Sequence, residues 1–260
     1  MQTTSGGHIV IGTMQSDITI PFESGAVTAH LALPEGSGKY PCLIVIEEIW
    51  GVNDHMKDVA NRYAQEGFIV LSPELLPEGL LQQLTPDLMK DLFDPEKRHE
   101  VQPKLRAAMA PIMQPEYSKE TITKLRACVD YLIAHAQGNG KVGVLGFCFG
   151  GTYSMQLSIS DPRIDACVVF YGQTPDPVDQ VKALACPVLE LHGEKDANIV
   201  PTLPKLEAAM KEYDKDFELI VYPGAGHAFF NDTNPLAYNA QAAQDAWNKS
   251  LAFLHKHLEA

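Results

Sequence analysis

The sequence predicts an α/β fold with a mainly parallel central sheet and helices on both faces. Short apolar runs typical of buried strands alternate with helical patterns through most of the 260 residues. Strands separated by helices usually pair in parallel. No linker, repeat or low-complexity tract divides the chain, and its length suits one large domain. We therefore predict a single domain over residues 1–260, with a variable, helical, cap-like insertion at about 74–115.

The predicted elements follow one another in a regular order. The first two strands, residues 17–22 and 26–33, form a predicted hairpin that turns at Ser24-Gly25. The other predicted strands are residues 42–47, 68–71, 141–145, 165–171, 187–192 and 217–222. The predicted helices are residues about 54–66, 117–136, 149 to about 160, 202–213 and about 236–257.

The stretch 74–115 interrupts this alternation. Its helical patterns are short, and prolines recur through it and just before it, at Pro73, Pro77, Pro86, Pro95, Pro103 and Pro111. The charged cluster at residues 94–100 is typical of a solvated surface segment. The alternative is a cap over the strand ends, because long connections in compact domains are often functional. The sequence leaves both interpretations open.

The charge balance restricts the partners. A formal net charge of −13 argues against nucleic acid and against an anionic membrane surface, because no basic excess is present to neutralise phosphates. It does not exclude a small anionic substrate. Residues 1–8 lack a basic segment followed by a long apolar stretch, so we expect no signal peptide. No apolar run is long enough to span a bilayer, and we expect a cytoplasmic protein.

The five cysteines, Cys42, Cys128, Cys148, Cys167 and Cys186, are odd in number and scattered, with no Cys-x-x-Cys pair. This pattern favours reduced thiols over a disulfide framework or a zinc site. Cys148 differs in context, since an apolar run ends there in Gly-x-Cys-x-Gly and a helical pattern follows. That is the layout of a nucleophile elbow, with the nucleophile at the tip of a sharp strand-to-helix turn. The pattern alone is weak, because a cysteine among Val, Leu and Phe is usually a buried core residue.

An elbow nucleophile needs a base and an acid later in the chain, each just past the end of a strand. Asp196 is the preferred acid over Glu190 and Glu194, because its short side chain in a loop can hold an imidazole. The preferred base is His227, which follows a strand and a glycine-rich loop. Its competitor is His192, which we expect to be bonded to backbone instead.

Four segments together resemble the dienelactone hydrolase family, the carboxymethylenebutenolidases. They are Glu47–Asn53, Gly146–Gly151, His192–Asp196 and Gly224–Phe229. The resemblance covers nearly the whole chain, and a cysteine elbow with a Glu-Ile-aromatic-Gly-x-Asn motif is specific to this family. It implies the α/β-hydrolase fold, a triad of Cys148, Asp196 and His227, and a monomer. We expect no cofactor and no metal ion.

The resemblance also gives Glu48 a role, which is to hold the resting thiol until substrate binding frees it to ionise towards the histidine. Glu47 is the neighbour that could be confused with it. The oxyanion hole of such a fold consists of two backbone N–H groups, which we assign to Ile49 and Phe149. Each such donor is worth roughly 3 kcal/mol of transition-state stabilisation.

A cysteine nucleophile restricts the substrate, because a thiolate leaves a tetrahedral intermediate as readily as it attacks. When the other leaving group is a plain alkoxide or an amine, the thiolate is expelled and no thioester forms. When it is an enolate or a phenolate, that group can leave and the thioester forms. We therefore expect a small-molecule substrate that is an enol-lactone or an activated ester, opened through a thioester acyl-enzyme.

The candidate substrate-binding residues are Trp50, Tyr171, Phe229 and Asn231. In well-known family members an arginine that helps to bind the substrate carboxylate stands where this chain has Asn231. A second family arginine falls in the insertion, where Arg98 and Arg106 are candidates. Three alternatives remain open: a broader carboxylesterase or thioesterase on the same triad, a redox-sensing thiol protein, and a binding module with an inactive site.

Overall fold

The structure, a computed structural model, describes residues 13–259. The expectation about a signal peptide concerns residues 1–8, which lie outside the described residues. One sheet is formed by eight strands: β1 Thr13–Phe22, β2 Gly25–Pro34, β3 Tyr40–Ile46, β4 Ile69–Pro73, β5 Gly138–Phe147, β6 Ala166–Phe170, β7 Val188–Gly193 and β8 Phe217–Tyr222. Their order is β1-β2-β4-β3-β5-β6-β7-β8. The pairs β1–β2 and β2–β4 are antiparallel and the other pairs are parallel, which confirms the predicted mainly parallel sheet.

The helices follow the strands in the predicted alternation. They are α1 Asp54–Gln65, α2 Glu78–Leu81, α3 Pro86–Phe93, α4 Arg98–Met109, α5 Pro115–Ile133, α6 Phe149–Ser160, α7 Leu203–Glu212 and α8 Ala240–Leu258. The last helix begins a few residues after its predicted start at about residue 236. The helix begins at Ala240, because the Asn239 side chain accepts the N–H of Ala242 at 3.1 Å and caps the helix there. Within residues 13–259, no helix is long and apolar enough to cross a membrane.

Strand β3 shows how the sheet divides the core. Its residues Cys42, Ile44 and Ile46 belong to one buried cluster, and Leu43 and Val45 belong to the other. This alternation follows from the strand period of two, which sends successive side chains to opposite faces. Helix α5 covers the first face, and helices α1 and α8 cover the second. These five side chains are fully buried, so the end of β3 that leads into the site is held rigidly by the core.

The predicted insertion forms helices α2, α3 and α4 and a short 3₁₀ turn at Ala110–Met113. It has a small apolar cluster of its own, formed by Leu76, Leu80, Leu84, Ala108 and Ile112. Ile49, Trp50 and Phe149 pack against this cluster. The insertion therefore rests on the loop after β3 and on the first residue of α6.

Leu75 anchors the start of the insertion. The Glu47 carboxylate accepts the N–H of Leu75 at 2.7 Å and that of Leu76 at 2.9 Å. The hydroxyl of Tyr117 donates to the carbonyl oxygen of Leu75 at 2.9 Å. Glu47 is buried, and burial raises the pKa of its carboxyl group to about 8. The insertion is thus fastened to the end of β3 by a buried acid.

Candidate active site

Cys148 lies at a sharp turn between β5 and α6. Its backbone adopts φ 55° and ψ −110°, a strained left-handed conformation that is uncommon for a residue with a side chain. A Cβ atom on Gly146 would lie 2.2 Å from the Gly150 carbonyl oxygen, and one on Gly150 would lie 2.3 Å from the Ile46 carbonyl oxygen. Both positions therefore require glycine. The Cys148 N–H donates to the carbonyl oxygen of Phe170 at 2.9 Å, which fixes the turn against β6.

Cys148 differs from the other four cysteines in its environment. All five are free, and Cys148 is partly exposed while the others are buried. Burial raises the pKa of the Cys42 and Cys128 thiols to about 12 and that of Cys186 to about 11. Thiols with such raised pKa values are protonated at neutral pH and therefore unreactive.

Asp196 and His227 meet as the sequence predicts. The Nδ1 atom of His227 lies 2.5 Å from Oδ2 of Asp196. The Asp196 side chain is 3% exposed and that of His227 is 37% exposed. Burial acts to raise the pKa of Asp196, but the hydrogen bond and the charge of His227 outweigh it, and the pKa is lowered. Asp196 is therefore a carboxylate at neutral pH.

Two close contacts fix the loops that carry this pair. A Cβ atom on Gly193 would lie 2.4 Å from the carbonyl oxygen of Gly226. The Lys195 N–H donates to the carbonyl oxygen of Ala225 at 2.8 Å. The loops after β7 and β8 are thus held together just before Asp196 and His227.

The charge of His227 depends on Cys148. Burial acts to lower the pKa of His227, but the negative charge that Cys148 carries when it is ionised and the hydrogen bond to Asp196 outweigh burial. The pKa of His227 is therefore raised well above its usual value. A histidine held by a carboxylate beside a cysteine is the arrangement in which a thiolate–imidazolium pair can form.

The competing candidates lie elsewhere. Glu190 and His192 are sealed in the core on β7, 1% and 0% exposed respectively. The expectation that His192 is bonded to backbone is wrong, because its Nε2 atom contacts the Glu190 carboxylate. Adjacent inward positions on one strand bring these two side chains together. Glu194 is exposed and accepts the N–H of Gly224 at 2.9 Å.

Glu48 is buried beside the site, with 3% of its surface exposed. The Tyr171 hydroxyl donates to its Oε1 atom at 3.1 Å, and the Asn231 amide donates to its Oε2 atom at 2.8 Å. Asn231 is in turn fixed through its Oδ1 atom, which accepts the Thr233 N–H at 3.1 Å and the Thr233 hydroxyl at 2.6 Å. Glu47 points instead to the insertion, so the two neighbouring carboxyl groups are clearly distinguished.

Tyr171 has a contact that the sequence did not suggest. Besides its bond to Glu48, its ring centroid lies 5.1 Å from that of His227. Burial raises the pKa of Tyr171 well above its usual value, and the negative charges of Glu48 and Cys148 raise it further. Its backbone φ is 41°, a second strained position beside Cys148. The only signal in the sequence was an aromatic residue at a strand end.

The other predicted substrate-binding residues have different surroundings. Phe229 is fully buried and packs against Tyr171, with 5.5 Å between ring centroids. Trp50 is partly exposed and borders a cleft of about 390 Å³ together with Glu74 and Glu78. A side chain that borders open space can contact a ligand, whereas one in the core only packs.

The sequence model of the Dienelactone hydrolase family matches residues 27–258. The chain belongs to this family. It is a hydrolase of the dienelactone hydrolase type, acting on ester or lactone bonds, and its sheet and helices form the α/β-hydrolase fold of the family.

Relatives in the dienelactone hydrolase family match over most of their length. The chain is 34% identical over 261 residues to a "Putative carboxymethylenebutenolidase" of Saccharolobus solfataricus, covering 94% of this chain and 99% of the relative. It is also 34% identical over 242 residues to a "Probable 2-oxo-3-(5-oxofuran-2-ylidene)propanoate lactonase" of Bradyrhizobium, covering 88% and 89%. The crystal structure of a "Putative Dienelactone Hydrolase" from Klebsiella pneumoniae matches at 28% identity with a TM-score of 0.78, covering 94% and 99%.

Two backbone segments of this dienelactone hydrolase-type chain carry the predicted oxyanion-hole residues. Phe149 is the first residue of α6, so its N–H has no partner within the helix. Ile49 lies in the loop after β3. A helix N-terminus carries a partial positive charge that favours an anion. Arg98 and Arg106, the arginine candidates of the insertion, are both exposed on α4.

Proposed function

We propose that the chain opens enol-lactones or activated carboxylic esters with a Cys148-His227-Asp196 triad, through a thioester acyl-enzyme. The observation that most supports this proposal is the contact of His227 with Asp196 at 2.5 Å. The raised pKa of His227 beside the Cys148 thiolate adds to it. An oriented base next to a strained, partly exposed thiol is the arrangement that nucleophilic catalysis requires.

In the first step the Cys148 thiolate attacks the carbonyl carbon of the substrate. The carbonyl π electrons move to oxygen, and the N–H groups of Ile49 and Phe149 stabilise the resulting oxyanion. When the intermediate collapses, the C–O bond to the leaving group breaks and a thioester forms. The leaving enolate or phenolate takes its proton from the His227 imidazolium, so that charge balances.

In the second step the neutral His227 accepts a proton from water, and the hydroxide formed attacks the thioester carbonyl. Collapse of this intermediate expels the Cys148 thiolate and releases the carboxylic acid product. His227 is then an imidazolium again, and it pairs with the regenerated thiolate. Asp196 keeps the imidazole in the required tautomer and orientation throughout.

Glu48 controls the resting thiol in this proposal. Its carboxylate lies close enough to the site that its charge acts on Tyr171 together with that of Cys148. Because a buried negative charge repels a second one nearby, Glu48 directs the ionised Cys148 sulfur away from itself and towards the His227 imidazolium. We further propose that the insertion caps the site, because it packs on Ile49, Trp50 and Phe149. A monomer in the cytoplasm is consistent with the free thiols.

The test is hydrolysis of a dienelactone and of p-nitrophenyl acetate by the wild type, Cys148→Ala and Cys128→Ala. We expect Cys148→Ala to abolish turnover of both substrates, by about 10⁴-fold or more. Cys128→Ala removes a buried thiol on α5 and should retain activity. Mass spectrometry of a quenched reaction should detect the acyl group on the Cys148 peptide.

The outcomes separate the candidates. Turnover of the nitrophenyl ester alone would keep the mechanism and favour a broader esterase. Activity that survives in Cys148→Ala would refute the triad. A thiol that oxidises with peroxide but never acylates would favour the redox-sensing alternative.

A further inference from the structure

The charges around Glu48 carry a further inference about the substrate. Both Glu48 oxygens are bonded to neutral donors, the Tyr171 hydroxyl and the Asn231 amide. Within residues 13–259, no Lys, Arg or His nitrogen lies within 4.0 Å of this carboxylate. This carboxyl group is therefore bonded to neutral dipoles and, among the described residues, is in direct contact with no cationic side chain.

The charges that act on the Tyr171 hydroxyl group are negative. The charges that shift its pKa are those of Glu48 and of Cys148, both negative. The imidazolium of His227 is already engaged with Asp196 and the thiolate. A substrate carboxylate close to the Tyr171 hydroxyl group would add a third negative charge to those of Glu48 and Cys148, which is strongly disfavoured where solvent screening is weak.

The surroundings have the same sign. The cleft beside Trp50 is lined by the acidic side chains of Glu74 and Glu78, and its lining residues include no lysine or arginine. Lys195, next to Asp196 in the chain, is exposed at the surface. With a formal net charge of −13, the protein as a whole also repels small anions.

We propose that this hydrolase is specific for substrates whose acyl part is uncharged, and that Asn231 is the residue that sets this preference. The inference rests on the proposed Cys148 chemistry and narrows its substrate class to neutral enol-lactones and neutral aryl esters. Asn231 holds Glu48 through a neutral amide, so the carboxylate keeps its full repulsion for an anion. A cation at position 231 would cancel that repulsion.

The test compares two esters that differ by one charge, mono-p-nitrophenyl adipate and its methyl ester. Both release p-nitrophenol from the same acyl chain. At pH 7.5 we expect kcat/KM for the methyl ester to exceed that for the acid by about tenfold or more, as for one poorly screened like-charge contact. Raising NaCl from about 0.05 M to about 0.5 M should reduce the difference in kcat/KM between the two esters, because salt screens the repulsion.

Two variants separate charge from shape. Asn231→Arg should reduce the ratio of neutral to anionic turnover by about tenfold relative to Asn231→Leu, which removes the amide without adding charge. Glu48→Gln removes the negative charge and should reduce the same ratio. If the wild type hydrolyses the acid as fast as its methyl ester, the inference is overturned whether or not the variants fold. If neither ester depends on Cys148, the proposed function itself fails, and the two failures are thus distinguishable.

Discussion

A Cβ atom on Gly150 would lie 2.3 Å from the carbonyl oxygen of Ile46, so the start of α6 is packed directly onto the last residue of β3. This contact brings two segments together that are far apart in the sequence. One carries Cys148 and Phe149, and the other carries Glu48 and Ile49. A side chain at position 150 would push these two segments apart. The relative positions of the thiol, the Glu48 carboxylate and the two predicted oxyanion donors therefore require glycine at this position.

Substitution of Gly150 by alanine should therefore destabilise the fold. The new methyl group meets backbone atoms that cannot move aside, and we expect a loss of about 2–4 kcal/mol in the free energy of unfolding. Urea denaturation followed by circular dichroism measures it. Gly79→Ala is the matched control, because nothing lies within 4 Å of a Cβ atom there. An unchanged urea midpoint in Gly150→Ala would show that the backbone around Ile46 can accommodate the methyl group.

Substitution of Asp196 by asparagine should lower kcat by about 10³–10⁴-fold, because an amide can hold the imidazole in the wrong tautomer and cannot stabilise the imidazolium. Steady-state hydrolysis of p-nitrophenyl acetate measures this loss. Glu194→Gln changes an exposed carboxylate in the same loop and should cost little. Equal losses in both variants would assign the effect to loop distortion and not to the acid.

Removal of the Cys148 thiolate should lower the pKa of His227. In the wild type the pKa is raised well above its usual value because the thiolate charge and Asp196 outweigh burial. A raised pKa means that the imidazole stays protonated until the pH rises through that value. Without the thiolate, only Asp196 opposes the effect of burial, which lowers the pKa of His227. The imidazolium therefore loses its proton at lower pH.

An NMR titration of the His227 ring signals in the wild type and Cys148→Ala tests this prediction. The signals are assigned by their loss in His227→Gln. In Cys128→Ala the His227 signals should titrate as in the wild type, since Cys128 is buried in one apolar cluster and Cys148 packs against the other. Identical His227 titrations in the wild type and Cys148→Ala would argue against a thiolate–imidazolium pair.

Substitution of Glu47 by glutamine should remove part of the pH dependence of stability. Burial raises the pKa of Glu47 to about 8 from a model-peptide value of 4.5, so the folded protein holds this proton more tightly than the unfolded chain. Its contribution is fully present below about pH 4.5 and is lost as the pH rises through about 8. Glutamine mimics the protonated form and can still accept both N–H bonds. The stability difference between Glu47→Gln and the wild type should therefore grow from pH 5 to pH 9 by a few kcal/mol, about 1.4 for each unit of pKa difference.

Thermal and urea unfolding at several pH values measure that difference. Glu74→Gln is the control, because its side chain is exposed. A difference that stays constant over the whole pH range would mean that Glu47 is already ionised at pH 5.

The sequence predicted the sheet, the elbow and the three triad candidates because each depends on local patterns. Strand and helix periodicity, the glycines around Cys148, and polar residues just past strand ends can all be recognised within about ten residues. The family assignment is confirmed, while the roles of Cys148, Asp196 and His227 remain predictions.

Long-range side-chain contacts could not be predicted in this way. Tyr171 and Asn231 are both bonded to Glu48, which lies 123 and 183 residues away from them in the sequence, and the sequence suggested neither bond. His192 was expected to bond to backbone and contacts Glu190 instead. Partner choice in a buried site depends on which strand ends lie side by side, and periodicity does not contain that information.

The opposite orientations of Glu47 and Glu48 have a mechanical consequence. One carboxyl group is bonded to the first residues of the insertion, and the next is bonded to Tyr171 and Asn231. A single peptide plane joins the two anchor points, and such a plane rotates as a unit. We therefore expect movement of the insertion to shift the Glu48 carboxylate beside the thiol. We expect that exchanging this insertion for one of another length would change the reactivity of the Cys148 thiol as well as the shape of the opening above it.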